Sequence, residues 1–335
     1  MRITRKLLLK LAKENVEKRI PQSEDLVAVY MLGSILTPEP LLGGTTDIDL
    51  VFVHKEDPPV ERESGRITYE ISLDIAHHHQ SFYAHHRRLR LNPWLGPALC
   101  KHNIILHDSD HWLEYIQAGV SSQFNNPENI IGRAVPLAEQ ARALWFSLEA
   151  QTVHEPLAWF EQYFKAIGLA ANAIAVLNGP GLTTRRFLLD FPQRADAIDH
   201  PGLYQGLLGL IGADTLTPEK GTTWREAWLN ALKTVSKEPD CPFDLHPYRR
   251  AYYLEAYDAL LESDVPQAAL WPLLDTWLQA ITVLWKNESQ RKAWIDFCSD
   301  LGFTPDCYVE RVKALDSFLD NIDLTLDNWK SEYGL

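Results

Sequence analysis

Near residue 125 this chain changes its hydrophobic period, and the change limits what it can fold into. Before it, short apolar runs alternate with helix-like stretches. "LVAVYML" (26–32), "DIDLVFVH" (47–54), "GRITYEISLDIAHH" (65–78) and "NIILHD" (103–108) read as strands, with helices at about 4–18, 79–91 and 110–118. After it, apolar residues recur at helical spacing at about 136–150, 156–178, 183–198, 202–212, 223–236, 247–263, 266–286, 288–300 and 305–332. The polar stretch "SSQFNNPENIIGRAVP" (121–136) separates the two parts, with Pro136 expected in a first helical turn, where proline is tolerated. The expected organisation is α+β over residues 1–125, a mixed sheet flanked by helices, followed by an all-α helical domain over residues 126–335. With 335 residues, each part is long enough to bury its own core.

Charge is spread unevenly between these parts. Residues 1–125 hold 14 Lys and Arg against 16 Asp and Glu, a balance of −2; residues 126–335 hold 18 against 29, a balance of −11. Phosphate contacts need clustered cations, so the acidic helical part argues against nucleic acid and suits a cationic small molecule or a basic surface. The N-terminal "MRITRKLLLKLAKENVEKRI" reads as an amphipathic helix and not a signal peptide. No apolar run reaches the roughly 18 residues that would span a bilayer, so the expectation is a cytoplasmic protein without a membrane partner. Cys100, Cys241, Cys298 and Cys307 lack CxxC spacing, which argues against a disulfide framework and against a cysteine zinc site.

The chemistry concentrates in "MLGSILTPEPLLGGTTDIDLVFV" (31–53). Strand side chains alternate, so Asp47, Asp49, Val51 and Val53 share one face while Ile48, Leu50 and Phe52 share the other. Two carboxylates this close repel unless a cation lies between them, and carboxylate oxygens are what Mg²⁺ prefers. In "RITYEISLDIA", Thr68, Glu70, Ser72 and Asp74 line the polar face. Asp74 sits where a third carboxylate could join the pair if the strands are neighbours; Glu70, further back, is its weaker competitor. Upstream, Gly33 allows close backbone approach and Ser34 offers a hydroxyl.

Gly-Ser after an apolar strand, a twelve-residue interval and then Asp-x-Asp in a strand together resemble the nucleotidyltransferase superfamily. "ISLDIAHH" is similar to that family's third-carboxylate strand, and "NIILHD" to the strand that often closes the domain. The likeness covers roughly residues 5–120. The helical part resembles, more loosely, the substrate domain of aminoglycoside nucleotidyltransferases. The resemblance implies Mg²⁺ held by Asp47, Asp49 and Asp74, and the phosphates of ATP or another nucleoside triphosphate held by Gly33 and Ser34. It implies a loop over residues 37–46 covering the triphosphate, Asp74 helping to deprotonate the acceptor, and transfer of a nucleoside monophosphate to a hydroxyl with loss of pyrophosphate. The expected acceptor is a small cationic molecule such as an aminoglycoside. The alternatives are an AMPylating enzyme whose acceptor is a partner protein, and a non-catalytic nucleotide-binding protein.

Other residues have ordinary readings first. His77, His78, His79, His85 and His86 follow Asp74 and read as a solvated helix start with Arg87, Arg88 and Arg90, before any metal role. Arg185 and Arg186 are candidates to reach a triphosphate, and Glu149, Glu155 and Glu161 to act as a base or to recognise an amine. Each also reads as part of a solvated helix face. The eleven tryptophans read chiefly as core.

Overall fold

The computed structural model describes residues 3–100, 104–150 and 155–335. The chain divides into two compact units, one of Met1–Asn129 with Tyr248–Ala256, the other of Ile130–Pro247 with Tyr257–Leu335. The architecture is an α+β region followed by an all-α region.

In the first unit α1 (Arg5–Arg19) precedes β1 (Leu26–Leu32), β2 (Thr46–His54), β3 (Arg62–Arg66) and β4 (Ile71–His79). Two short helices, α2 (His86–Arg90) and α3 (Leu95–Cys100), lead to β5 (Ile104–Asp108) and α4 (Trp112–Ser121). Asn103, the first residue of the expected fourth run, lies outside the described residues. The sheet order is β3-β4-β2-β1-β5, with β2 and β4 parallel and the other pairs antiparallel. Strand alternation divides the apolar residues between two layers. Ile48, Leu50 and Phe52 pack with Ile71, Leu73 and Ile75 beneath Leu8, Ala12 and Val16 of α1. Val51 and Val53 pack on the opposite face with Leu89, Leu99, Leu113, Ile116 and Val120. Helices thus cover both faces of the sheet.

The expected strand over 65–78 is instead a hairpin. β3 ends at Arg66, the chain turns through residues 67–70, and β4 starts at Ile71. The Thr68 hydroxyl accepts from the Glu70 and Ile71 amides, and the Ile67 and Thr68 amides donate to the Ile71 carbonyl. A side chain that bonds its own backbone two or three residues on makes a turn even where apolar alternation continues unbroken. The expected helix over 79–91 is also corrected: β4 runs through His79, a 3₁₀ turn covers Gln80–Tyr83, and only His86–Arg90 is α-helical.

The remaining helices are α5 (Pro127–Ala150), α6 (Pro156–Ala175), α7 (Phe187–Asp196), α8 (Gly202–Leu210), α9 (Pro218–Val235), α10 (Arg250–Leu261), α11 (Leu270–Leu284), α12 (Glu288–Asp300) and α13 (Tyr308–Glu332). Pro136 lies inside α5, not in its first turn, which Pro127 occupies. The polar stretch read as a separator is therefore helical from its middle onward. Tryptophan packing builds the second unit's core: Trp159 stacks between Tyr163 (4.7 Å) and Tyr308 (4.2 Å), and Trp277 stacks on Phe297 (4.7 Å). All four cysteines are free. Among the described residues no helix is long and apolar enough to cross a membrane.

Candidate functional site

Parallel pairing sets Asp49 of β2 directly beside Asp74 of β4, and Asp47 beside Ser72. Side chains two apart on one strand share a face, so Asp47, Asp49 and Asp74 converge. One oxygen from each can be chosen so that all lie within 4.8 Å of one another. Asp47 and Asp74 are buried and Asp49 is partly exposed. Glu70 belongs to the turn before β4, is exposed, and accepts from the Thr68 hydroxyl at 2.9 Å. It does not join the cluster.

Gly33 follows β1 and is held against the carboxylates by its backbone. Its φ of +81° lies in the region that favours glycine. A Cβ there would lie 1.7 Å from Asp49 Oδ2, so any side chain at this position would collide with the cluster. Ser34 starts a 3₁₀ turn (Ser34–Leu36), and its hydroxyl lies 3.2 Å from the buried Thr46 hydroxyl. The intervening loop is tied back: Leu42 bridges Thr45, and Thr45 Oγ1 donates to the Leu42 carbonyl. A Cβ at Gly43 would lie 2.0 Å from the Glu255 carbonyl oxygen, so the loop tip lies directly on the α10 backbone at Glu255.

Two cations absent from the sequence reading complete the cluster. Arg62 reaches in from the edge strand and grips Asp74 with both arms of its fork, Nε to Oδ1 at 2.8 Å and Nη2 to Oδ2 at 2.6 Å. Ser64 pairs with Asp74 across the ladder, so Arg62, two residues earlier, points to the same face. Arg249 comes from 175 residues away and donates from Nη1 to Asp74 Oδ2 at 2.5 Å, with Nη2 3.3 Å from Asp47 Oδ2. It is buried, and its guanidinium lies 5.2 Å from the Tyr252 ring. "HPYRRAYYL" signals a helix start and nothing of this role.

Two guanidinium charges against three carboxylates leave one negative charge over. Asp49 carries the consequence: burial first, then the charges of Asp47 and Asp74, push its carboxyl well above the usual carboxylate range, while Arg249 and Arg62 pull the other way. Among the described residues no hydrogen bond reaches the Asp49 carboxylate. A carboxyl pushed up by two neighbouring carboxylates is eased by any added cation, so the donor set fits a hard, oxygen-preferring divalent ion.

The histidines divide between roles. His77 bridges His54 (3.0 Å) and Glu63 (3.1 Å), and Glu63 continues to Arg19 at 2.8 Å. Burial keeps the His77 ring below its ordinary pKa in spite of Glu63. His78 lies 2.7 Å from the Tyr83 hydroxyl, which meets Tyr30 at 2.8 Å. These residues tie sheet to helix and do not converge on the carboxylates. Arg185 is buried in a 3₁₀ turn (Thr184–Arg186) of the second unit. Glu149 and Glu155 are exposed, and Glu161 accepts from the Thr282 hydroxyl at 2.7 Å.

No family model matches the sequence, and no curated protein matches it. Among solved structures the chain is similar to a nucleotidyltransferase-like protein from Exiguobacterium sibiricum 255-15. The two are 13% identical, the match covers 90% of this chain and 91% of that one, and the TM-score is 0.35. A likeness at that level carries no functional argument.

Proposed function

We propose that this protein is a Mg²⁺-dependent nucleotidyltransferase that moves a nucleoside monophosphate from ATP to a hydroxyl of a small cationic acceptor. One observation carries the reading: Asp47, Asp49 and Asp74 converge from neighbouring parallel strands with the Gly33 backbone against Asp49. Mg²⁺ held by Asp47, Asp49 and Asp74 would supply a Lewis acid that offsets the charge of the triphosphate.

The chain's own groups do the rest. The three carboxylates hold the ion, and Gly33 and Ser34 take the phosphates: glycine lets them close, and the Ser34 amide and hydroxyl donate to them. Asp74 accepts the proton of the acceptor hydroxyl as its oxygen bonds to the α-phosphorus, while the bond to the β-phosphate breaks and pyrophosphate leaves. Arg62 and Arg249 already sit at this point. A guanidinium fork fits phosphate as well as carboxylate, so nucleotide entry turns them from Asp74 and Asp47 onto phosphate oxygens and frees the carboxylates. The −11 balance of residues 126–335 favours a cationic acceptor.

The test is incubation with each α-labelled nucleoside triphosphate, Mg²⁺ and a panel of hydroxylated amines, reading label transfer and pyrophosphate. The expected result is a labelled small molecule with one pyrophosphate per transfer, lost in Asp47→Asn. Label on a protein from a cell lysate instead would favour the partner-protein alternative.

A further inference from the structure

Far from the carboxylates in sequence, the helical unit holds a cavity of 360 Å³ lined by α6, α11 and the segment between Leu182 and Phe187. That volume is in the range of small-molecule sites, of order 300–1,000 Å³. One wall is apolar and aromatic: Trp271 stacks on Phe187 with ring centroids 4.0 Å apart, beside Phe164, Leu274 and Leu278. Into this lining α11 places Asp275.

Asp275 is not compensated. Its Oδ2 accepts from Thr184 Oγ1 at 2.9 Å and from Gln279 Nε2 at 3.1 Å. Its Oδ1 has no hydrogen-bond partner, and no Lys, Arg or His pairs with it, among the described residues. Burial first, opposed by the Thr184 bond and reinforced by the charge of Asp244, pushes its carboxyl up to about 6. Glu161 adds a second acid to the lining; Lys165 also lines it but is exposed and pairs with no acid among the described residues. A carboxylate between apolar walls is costly to keep charged unless a cation meets it.

We infer that this cavity binds a protonated amine carried on an apolar ring, with the ammonium on Asp275 and the ring between Trp271 and Leu278. Aromatic faces favour a cation beside them, which reinforces the choice. Asp275 and Glu161 in the lining disfavour an anion. The site is built within the helical unit alone, so the inference stands whether or not the carboxylate cluster transfers nucleotides.

The experiment uses the full chain at pH 7.5 without nucleotide or divalent metal. Phenethylamine and its neutral counterpart 2-phenylethanol are titrated and read by calorimetry and by tryptophan fluorescence. Saturable phenethylamine binding is expected, about tenfold or more tighter than 2-phenylethanol, because one charge-assisted contact separates them. Asp275→Asn is expected to erase that preference, bringing the amine down to the alcohol. Gly168→Ala, whose Cβ would lie 3.2 Å from the Trp271 ring, narrows the cavity and is expected to weaken both probes together. Equal affinity for the two probes, no saturable binding, or an undiminished preference in Asp275→Asn would overturn the inference.

Discussion

The two units each draw carboxylates off the open surface, and they treat them differently. In the sheet unit Asp47 and Asp74 share Arg249, and Asp74 also takes the fork of Arg62. In the helical unit Asp275 has, among the described residues, only a hydroxyl and an amide. The first site holds its cations within the chain; the second has no cation paired with its acid among the described residues. The difference shows that a buried acid is not a single signal. What surrounds it decides whether charge is retained, exchanged or relieved by protonation.

The contrast breaks most visibly at the carboxylate cluster. Asp47→Asn or Asp49→Asn is expected to lower the rate of nucleotide transfer by at least about 10³-fold, since a lost metal ligand removes several kcal/mol of transition-state stabilisation. A steady-state assay with labelled ATP checks it; a loss under tenfold would mean the carboxylates do not hold the reacting ion. Next in size is Arg249→Met. Removing one partner of a buried ion pair leaves charge uncompensated and costs on the order of 3–5 kcal/mol. Urea unfolding without metal should show that loss, and 10 mM Mg²⁺ should recover more stability in the variant than in the parent.

Asp275 gives a smaller effect that depends on pH. Its folded carboxyl titrates near 6 against 3.8 for the free group, so between these values the native state binds more protons than the unfolded state. Stability therefore rises as pH falls from about 6 to about 4 through this group, and is lost as pH rises through 6. The full swing is about 2–3 kcal/mol. Asp275→Asn should flatten that part of the stability profile by the same amount in unfolding at pH 4, 5, 6 and 7. The smallest effect is at Arg142, which meets Asp316, Asp320 and Asp323 at 2.6–2.8 Å on a solvent-facing part of α13. Arg142→Ala is expected to cost about 1 kcal/mol or less, and less again in 0.5 M salt.

The carboxylate cluster is legible in the sequence because its cause is local. Period-two alternation puts Asp47 and Asp49 on one face, and it picks out Asp74 wherever the strand begins. The same alternation misled over residues 65–70, since nothing in apolar spacing marks the turn that the Thr68 hydroxyl makes with two backbone amides. Asp49 and Asp74 are direct neighbours because β2 and β4 run parallel with β3 on the outside, a matter of topology rather than of either strand's sequence. Arg249 is the least legible residue. It meets Asp74 across 175 positions, and the first of two adjacent arginines after a Pro-Tyr pair has no local mark of burial. Asp275 is hidden for another reason: in an amphipathic helix an acid reads as exposed, and only packing closes a cavity around it.

The most direct test is calorimetric titration of Mg²⁺-ATP into the parent chain and into Asp49→Asn, the acid whose carboxylate makes no hydrogen bond among the described residues. Saturable binding to the parent that needs Mg²⁺ and falls at least about tenfold in Asp49→Asn is the expected result, since one charge-assisted contact to the ion is removed. Equal affinity in the two proteins, or binding indifferent to Mg²⁺, would contradict a metal-dependent nucleotide site at Asp47, Asp49 and Asp74.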